Sequence, residues 1–303
     1  MSKKLFIIGV GRSGTTLIMS MMNAHSQVAF VPETHFIKKY IVPALKGKLP
    51  SSSELTTKLQ SDKDIQRLGD GLDYTSLSLS SNANELANNF WNTFESIVGS
   101  DVAFVGDKDP MNAPYLSQIK SVYPDAYILH IIRDPRDVIL SRIKSEWGKN
   151  TPFFLHVAEY QSHIYQALGD GRDLFGEQYH EIKYEDLLDD SEGILKGVCE
   201  WLNLPYEQEM LNYQEKAKAL ISGDEVSWKS NVFKPVMKNN TAKWKKELNQ
   251  SQIAKIESGL ENLMTKLGYE ISGSGNFFQK NIASLPIKMA KLAYRLKAKK
   301  ESV

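Results

Sequence analysis

A short apolar run, Leu5-Phe6-Ile7-Ile8, stops abruptly at Gly9-Val10-Gly11-Arg12-Ser13-Gly14, and residues 15–24 then carry helical spacing. An unbroken apolar run of this length predicts a strand covered on both faces. Its junction with a glycine-rich turn and a helix predicts the first unit of a parallel sheet, because only a crossover helix returns the chain to pair in parallel. Similar apolar runs at 102–105 and 127–132 each precede a helical stretch, at 112–122 and 136–147, and 178–183 forms a weaker fourth strand. The expected class is therefore α/β: a P-loop-like three-layer fold with a central parallel sheet flanked by helices and ligands at the C-terminal strand ends. Helical spacing returns at 192–202 and 252–267.

With 303 residues, 42% hydrophobic and 24% charged, the chain has globular composition. Its single cysteine, Cys199, excludes a disulfide framework and a thiolate zinc site, and suits a reducing compartment. No apolar run reaches the ~18 residues of a membrane helix, and the N-terminus has no secretory h-region, so a cytoplasmic location is expected. A net charge of +1 excludes a chain-wide nucleic-acid surface. Residues 282–303, however, hold five Lys and one Arg against one Glu. Lys288, Lys291, Arg295 and Lys299 recur there beside an apolar face of Met289, Leu292, Ala293 and Leu296. Such a segment suits peripheral contact with the inner membrane surface, and equally a solvated helix packed on its own domain. The expected organisation is one domain over 1–275, in which the Ser/Thr-rich stretch 45–73 is a lid or surface excursion, followed by a basic amphipathic tail over 276–303.

The turn from Gly9 to Thr16 has the G-x-x-x-x-G spacing of a phosphate loop, whose backbone N–H groups and following helix N-terminus wrap an anion. A nucleotidase would place Lys next, reaching the terminal phosphates, but Thr15 stands there and the cation lies inside the loop as Arg12. That substitution argues against a triphosphate–magnesium complex while keeping the capacity for a phosphate-like group. Farther along, Arg133-Asp134-Pro135-Arg136-Asp137 closes one strand and opens a helix, with Ser141 eight residues after Arg133. An Arg fork and a hydroxyl in the first helical turns suit a dianionic phosphate, whereas the carboxylates alone would also suit a capped surface turn.

The stretch GVGRSGTTL resembles the 5′-phosphosulfate loop of the PAPS-dependent sulfotransferases, and Arg133 with Ser141 is similar to that family's 3′-phosphate motif. The pieces that match run from Leu5 to about Tyr269, and the branch they look most like is the carbohydrate and tyrosylprotein one. The resemblance implies PAPS as donor (PAP as product), bound by Gly11, Arg12, Ser13, Gly14, Thr15, Thr16, Arg133 and Ser141. Tyr184, in Tyr184-Glu185-Asp186-Leu187, would lie near the adenine, and Lys243-Trp244 resembles the late segment that covers the nucleotide, although the family's basic triplet has no clear counterpart.

On the acceptor side, Pro32-Glu33-Thr34-His35 resembles the family segment whose Glu is the general base. Glu33 is the first candidate, because an acceptor hydroxyl must lose its proton as it attacks sulfur, and His35 is the second, because imidazole titrates near neutrality. Lys108, in the stretch Lys108-Asp109-Pro110, would meet the negative charge that builds on the bridging oxygen, and Arg12 that on the sulfonate. The resemblance thus implies sulfuryl transfer to a hydroxyl or amine without a metal; a carbohydrate or lipid-linked sugar is the expected acceptor, with a peptide tyrosine or small phenol behind it, and no nucleic-acid partner is expected. The alternatives are a P-loop kinase or nucleotidase, and a non-catalytic nucleotide-binding protein.

Overall fold

The computed structural model describes residues 2–69, 71–99, 101–220 and 230–273. Five strands form one parallel sheet: β1 (Lys3–Ile8), β2 (Val28–Phe30), β3 (Phe104–Lys108), β4 (Tyr127–Ile132) and β5 (Tyr179–Lys183). Their spatial order is β2-β3-β1-β4-β5, so β1 is central and the chain first builds to one side of it and then to the other. That reversal leaves a crevice at the C-terminal end of β1. Register brings the motifs to this crevice, since Ile7 lies beside Lys108 across β1–β3 and Ile8 beside His130 across β1–β4.

Successive side chains on a strand point to opposite faces, and here each face has its own core. Phe6, Ile8 and Ile128 join the core beneath α2 (Ala83–Val98) and α3 (Leu116–Val122), while Leu5, Ile7, Leu129 and Ile131 join the core beneath α1 (Thr15–Asn23), α6 (Tyr184–Asp189) and α7 (Ser191–Leu202). A third cluster packs α4 (Pro135–Ile143), α5 (Phe153–Phe175) and α8 (Gln250–Lys266) around Ile132 and Val10. The three-layer α/β expectation holds.

The stretch 45–73 carries helices at Ser52–Ser61 and Lys63–Gln66, and Leu55, Leu59, Ile65, Leu68 and Leu72 anchor it by burial in the core that includes Phe6. Two helix expectations need correction. The helix expected over 112–122 opens as a 3₁₀ turn, Pro110–Tyr115, because Pro114 cannot donate to an α-helical ladder. The helix expected over 136–147 ends at Ile143. The basic tail 276–303 lies outside the described residues.

Among the described residues no helix is long and apolar enough to cross a membrane.

Candidate active site

The loop after β1 closes with Ser13 N donating to Val10 O at 2.9 Å, and α1 starts at once, with Leu17 and Ile18 N both donating to Gly14 O. Gly14 caps the helix in the left-handed region, at φ 98°, where a side chain is disfavoured. A Cβ there would lie 2.3 Å from the Tyr184 ring, so glycine is required by space as well as by torsion. Arg12 also sits at positive φ, 82°, a conformation rare for a non-glycine residue and one that local contacts must hold. Those contacts are Arg133 Nη1 donating to Arg12 O at 3.1 Å and Arg12 Nε donating to Ser141 Oγ at 3.0 Å. Ser13 Oγ is buried and makes no hydrogen bond among the described residues, which leaves a loop hydroxyl for an incoming anion.

Arg133 is held at the end of β4 by its own turn. Asp134 caps α4 by accepting from Arg136 N at 2.8 Å, and Arg136 turns into the core, where it pairs with Glu257 at 2.8 Å and lies 3.7 Å from the centre of the Trp244 ring. Arg133, also buried, instead borders the cavity, 4.2 Å from the centre of the Tyr184 ring, and its Nη2 donates to Asn240 O at 3.0 Å. Asn240 Nδ2 in turn donates to the Tyr184 hydroxyl at 2.6 Å. These groups, with Thr15, Thr16 and an apolar wall of Leu188, Val236 and Met237, line a cavity of about 110 Å³. Burial, then the charges of Arg133 and Arg142, lower the pKa of Arg12, the electrostatic cost of crowding cations that an anion would relieve.

On the other side of the same loop lies a second cavity of about 380 Å³, whose walls again include Arg12, Thr15 and Thr16. Glu33, His35 and Lys108 form one side of it, and Arg142, Glu159, His163 and Trp147 the other. Lys108 is only 2% exposed and is ion-paired with Glu33, which compensates a buried ammonium. His35 Nδ1 lies 2.7 Å from Asp109 Oδ2, and that hydrogen bond, opposed by burial and assisted by the charges of Asp109 and Glu33, raises the imidazole pKa. One oxygen or nitrogen from each of Glu33, His35 and Asp109 falls within 4.8 Å of the others, close enough to share a proton through one water. Beneath them Asp107 is fully buried, and desolvation with the nearby Asp109 charge pushes its carboxyl up to about 7.

The fold therefore gathers Gly11, Arg12, Thr15, Thr16, Glu33, His35 and Lys108 around one cleft, with Arg133 and Tyr184 beyond the loop and Ser141 bonded to Arg12. It does not bring Lys243 or Trp244 to either cavity. Trp244 is buried against Arg136, with its backbone N donating to Asp137 Oδ1 at 2.9 Å, so its aromatic surface serves the core. Asn240 and Met237 line the cavity beside Arg133 and Tyr184. Arg142, Glu159 and His163 escaped sequence reasoning because none belongs to a motif, and Glu159 and His163 lie on α5, a helix not among those expected from the sequence. The one available signal was Arg142, placed directly after Ser141.

Residues 4–208 match the family model described as the sulfotransferase family. The chain is 26% identical over 275 residues to protein-tyrosine sulfotransferase A of Caenorhabditis elegans, covering 88% of this chain and 67% of that protein. It is 22% identical over 273 residues to the protein-tyrosine sulfotransferase of Drosophila melanogaster, covering 88% of this chain and 51% of that protein, so it spans only about half of that relative's length. Among solved structures, the sulfotransferase domain from the curacin biosynthetic pathway shares the fold, with a TM-score of 0.64 at 20% identity over 89% of this chain and 99% of that domain. A match across more than half the sequence, laid on a phosphate-type loop whose cation is Arg12, identifies the chain as a member of the sulfotransferase family.

Proposed function

We propose that the chain transfers the sulfuryl group of PAPS to a hydroxyl or amine acceptor by in-line displacement. The observation that carries this reading is that two cavities share Arg12, Thr15 and Thr16 in their walls, an arrangement that would suit a donor in one and an acceptor in the other. The loop amides, Ser13 and the Thr15 and Thr16 hydroxyls hold the 5′-phosphate, Arg133 and Ser141 the 3′-phosphate, and Tyr184 borders the adenine. Glu33 takes the acceptor proton as the new oxygen–sulfur bond forms. Lys108 meets the electron pair that departs to the bridging oxygen, and Arg12 the charge on the sulfonate, so that fixed cations are aimed where negative charge develops.

For the acceptor, a carbohydrate or lipid-linked sugar is proposed. A peptide tyrosine is the second reading, favoured by the names of the worm and fly relatives. Peripheral contact with an anionic membrane is proposed for the segment 276–303. Isothermal titration with PAP, ATP and AMP tests the donor: tight PAP binding that needs no magnesium supports the reading, and magnesium-dependent ATP binding in its place refutes it. Transfer from labelled PAPS to a panel of sugars and tyrosine peptides then chooses between the two acceptor classes.

A further inference from the structure

We infer that Asp109 is a positioning residue that fixes His35 as its Nδ1–H tautomer, so that His35 Nε2 receives the acceptor's proton from Glu33 and passes it to solvent. The inference rests on the sulfuryl-transfer reading above.

The geometry is locked from the carboxylate side. Asp109 is fully buried, with Oδ2 2.7 Å from His35 Nδ1 and Oδ1 accepting from Met111 N at 2.8 Å, so its orientation is set by the turn that follows β3. His35 is locked from the backbone side, because it sits at φ 54° in the left-handed region, which an L-residue adopts only when its surroundings compel it. An imidazole whose Nδ1–H donates to a carboxylate carries its free lone pair on Nε2, and that atom is then its base.

Glu33 needs such a partner. It is ion-paired with Lys108, and that pair is restored only when the proton it has taken moves on. His35 holds one more firmly than usual, chiefly through the Asp109 hydrogen bond. Glu33 and Asp64 add to that preference and burial opposes it, while Lys108, Arg142, Glu159 and His163 line the same cavity. A Glu33 oxygen and a His35 ring nitrogen lie within 4.8 Å of each other, a gap that one water spans, so the proton has a short path from Glu33 to His35.

The step balances. The acceptor oxygen bonds to sulfur as the bond from sulfur to the bridging oxygen breaks, and the electron pair leaves with the nucleotide phosphate. The hydroxyl proton goes to Glu33 and then to His35 Nε2, giving an imidazolium that faces Asp109. The His35 side chain is 29% exposed, so the proton can leave to water and both groups return to their starting forms.

The test uses the full chain labelled with ¹⁵N-histidine, with His35→Gln assigning one signal among six histidines. In the wild type the neutral ring is expected as the Nδ1–H tautomer. In Asp109→Asn, His35 is expected to titrate about one pH unit lower or more, the scale of losing an adjacent opposite charge. The acid limb of kcat should move with it and kcat fall ~10-fold or more, while PAP affinity stays within about twofold. A wild-type Nε2–H tautomer would overturn the inference, and this measurement stands even if the variant does not fold. Unchanged His35 titration in Asp109→Asn alongside normal transfer would overturn this step alone. Wild-type protein that neither binds PAP nor transfers sulfuryl groups would overturn the underlying reading and this step with it.

Discussion

Replacing Gly14 by Ala adds one methyl group at the point where loop, helix and nucleotide wall meet. Two costs follow from the geometry. At φ 98° an alanine pays about 1–2 kcal/mol for the left-handed conformation. Its Cβ would also lie 2.3 Å from Tyr184 Cδ2, against an ordinary carbon–carbon contact of ~3.5 Å, so the ring must retreat by roughly 1 Å, at about 1–3 kcal/mol. Together these predict a loss of about 2–5 kcal/mol in unfolding free energy. The moved ring no longer supports Arg133 at 4.2 Å or accepts from Asn240, and losing one well-aimed charged hydrogen bond, ~1.5–3 kcal/mol, weakens PAP roughly 10- to 150-fold. Urea titration and calorimetry measure the two effects. A double-mutant cycle with Tyr184→Ala isolates the steric part, since removing the ring should make the methyl cheaper by about 1–3 kcal/mol than additivity allows. Strict additivity, or a Gly14→Ala protein with wild-type stability and PAP affinity, would refute the reasoning.

Arg133→Ala should weaken PAP far more than AMP in calorimetry, because only PAP carries the 3′-phosphate; equal losses would remove that assignment. Glu33→Gln should leave PAP affinity intact while lowering kcat by roughly 10²-fold or more, and a near-normal rate would move the base role elsewhere. Asp107 gives a pH prediction. Its carboxyl is pushed up to about 7 in the fold, so between about pH 4 and 7 the native chain keeps a proton that the unfolded chain releases, and stability falls as pH rises through that window. Asp107→Asn should flatten that slope in melting curves and stabilise the protein most at neutral pH. Its amide can still accept from Asn112 Nδ2, as Oδ2 now does at 2.7 Å, and can offer a donor near Asn112 Oδ1, which is buried without a hydrogen bond among the described residues. Truncation after residue 275 should leave PAP affinity unchanged and abolish salt-sensitive binding to anionic vesicles, as flotation assays would report.

What could be read in advance had short-range causes. An apolar run, a glycine turn and a helix are contiguous, so β1, the loop and α1 were legible almost to the residue, as were the strand-end positions of Lys108 and Arg133. β2 was missed because it has three residues, Val28–Phe30, and owes its existence to pairing with β3 rather than to any pattern of its own. The short helices within 45–73 have no local signature, because polar residues outnumber apolar ones there and Leu55, Leu59, Ile65, Leu68 and Leu72 follow no single period. Lys243-Trp244 resembles a nucleotide-covering segment in sequence, whereas the Trp244 ring packs against the buried Arg136. The Asp109–His35 contact spans 74 positions and is created by neighbouring loops, so no local motif announces it.

Because Arg12, Thr15 and Thr16 stand on both walls, the proposed donor and acceptor would not meet independent sites. A nucleotide that settled Arg12 would alter a surface that the second substrate touches, and the reverse would hold equally. Linkage then requires that the factor by which PAP alters acceptor affinity equal the factor by which acceptor alters PAP affinity. On the proposed reading, order of addition and product inhibition would then depend on one torsionally constrained arginine.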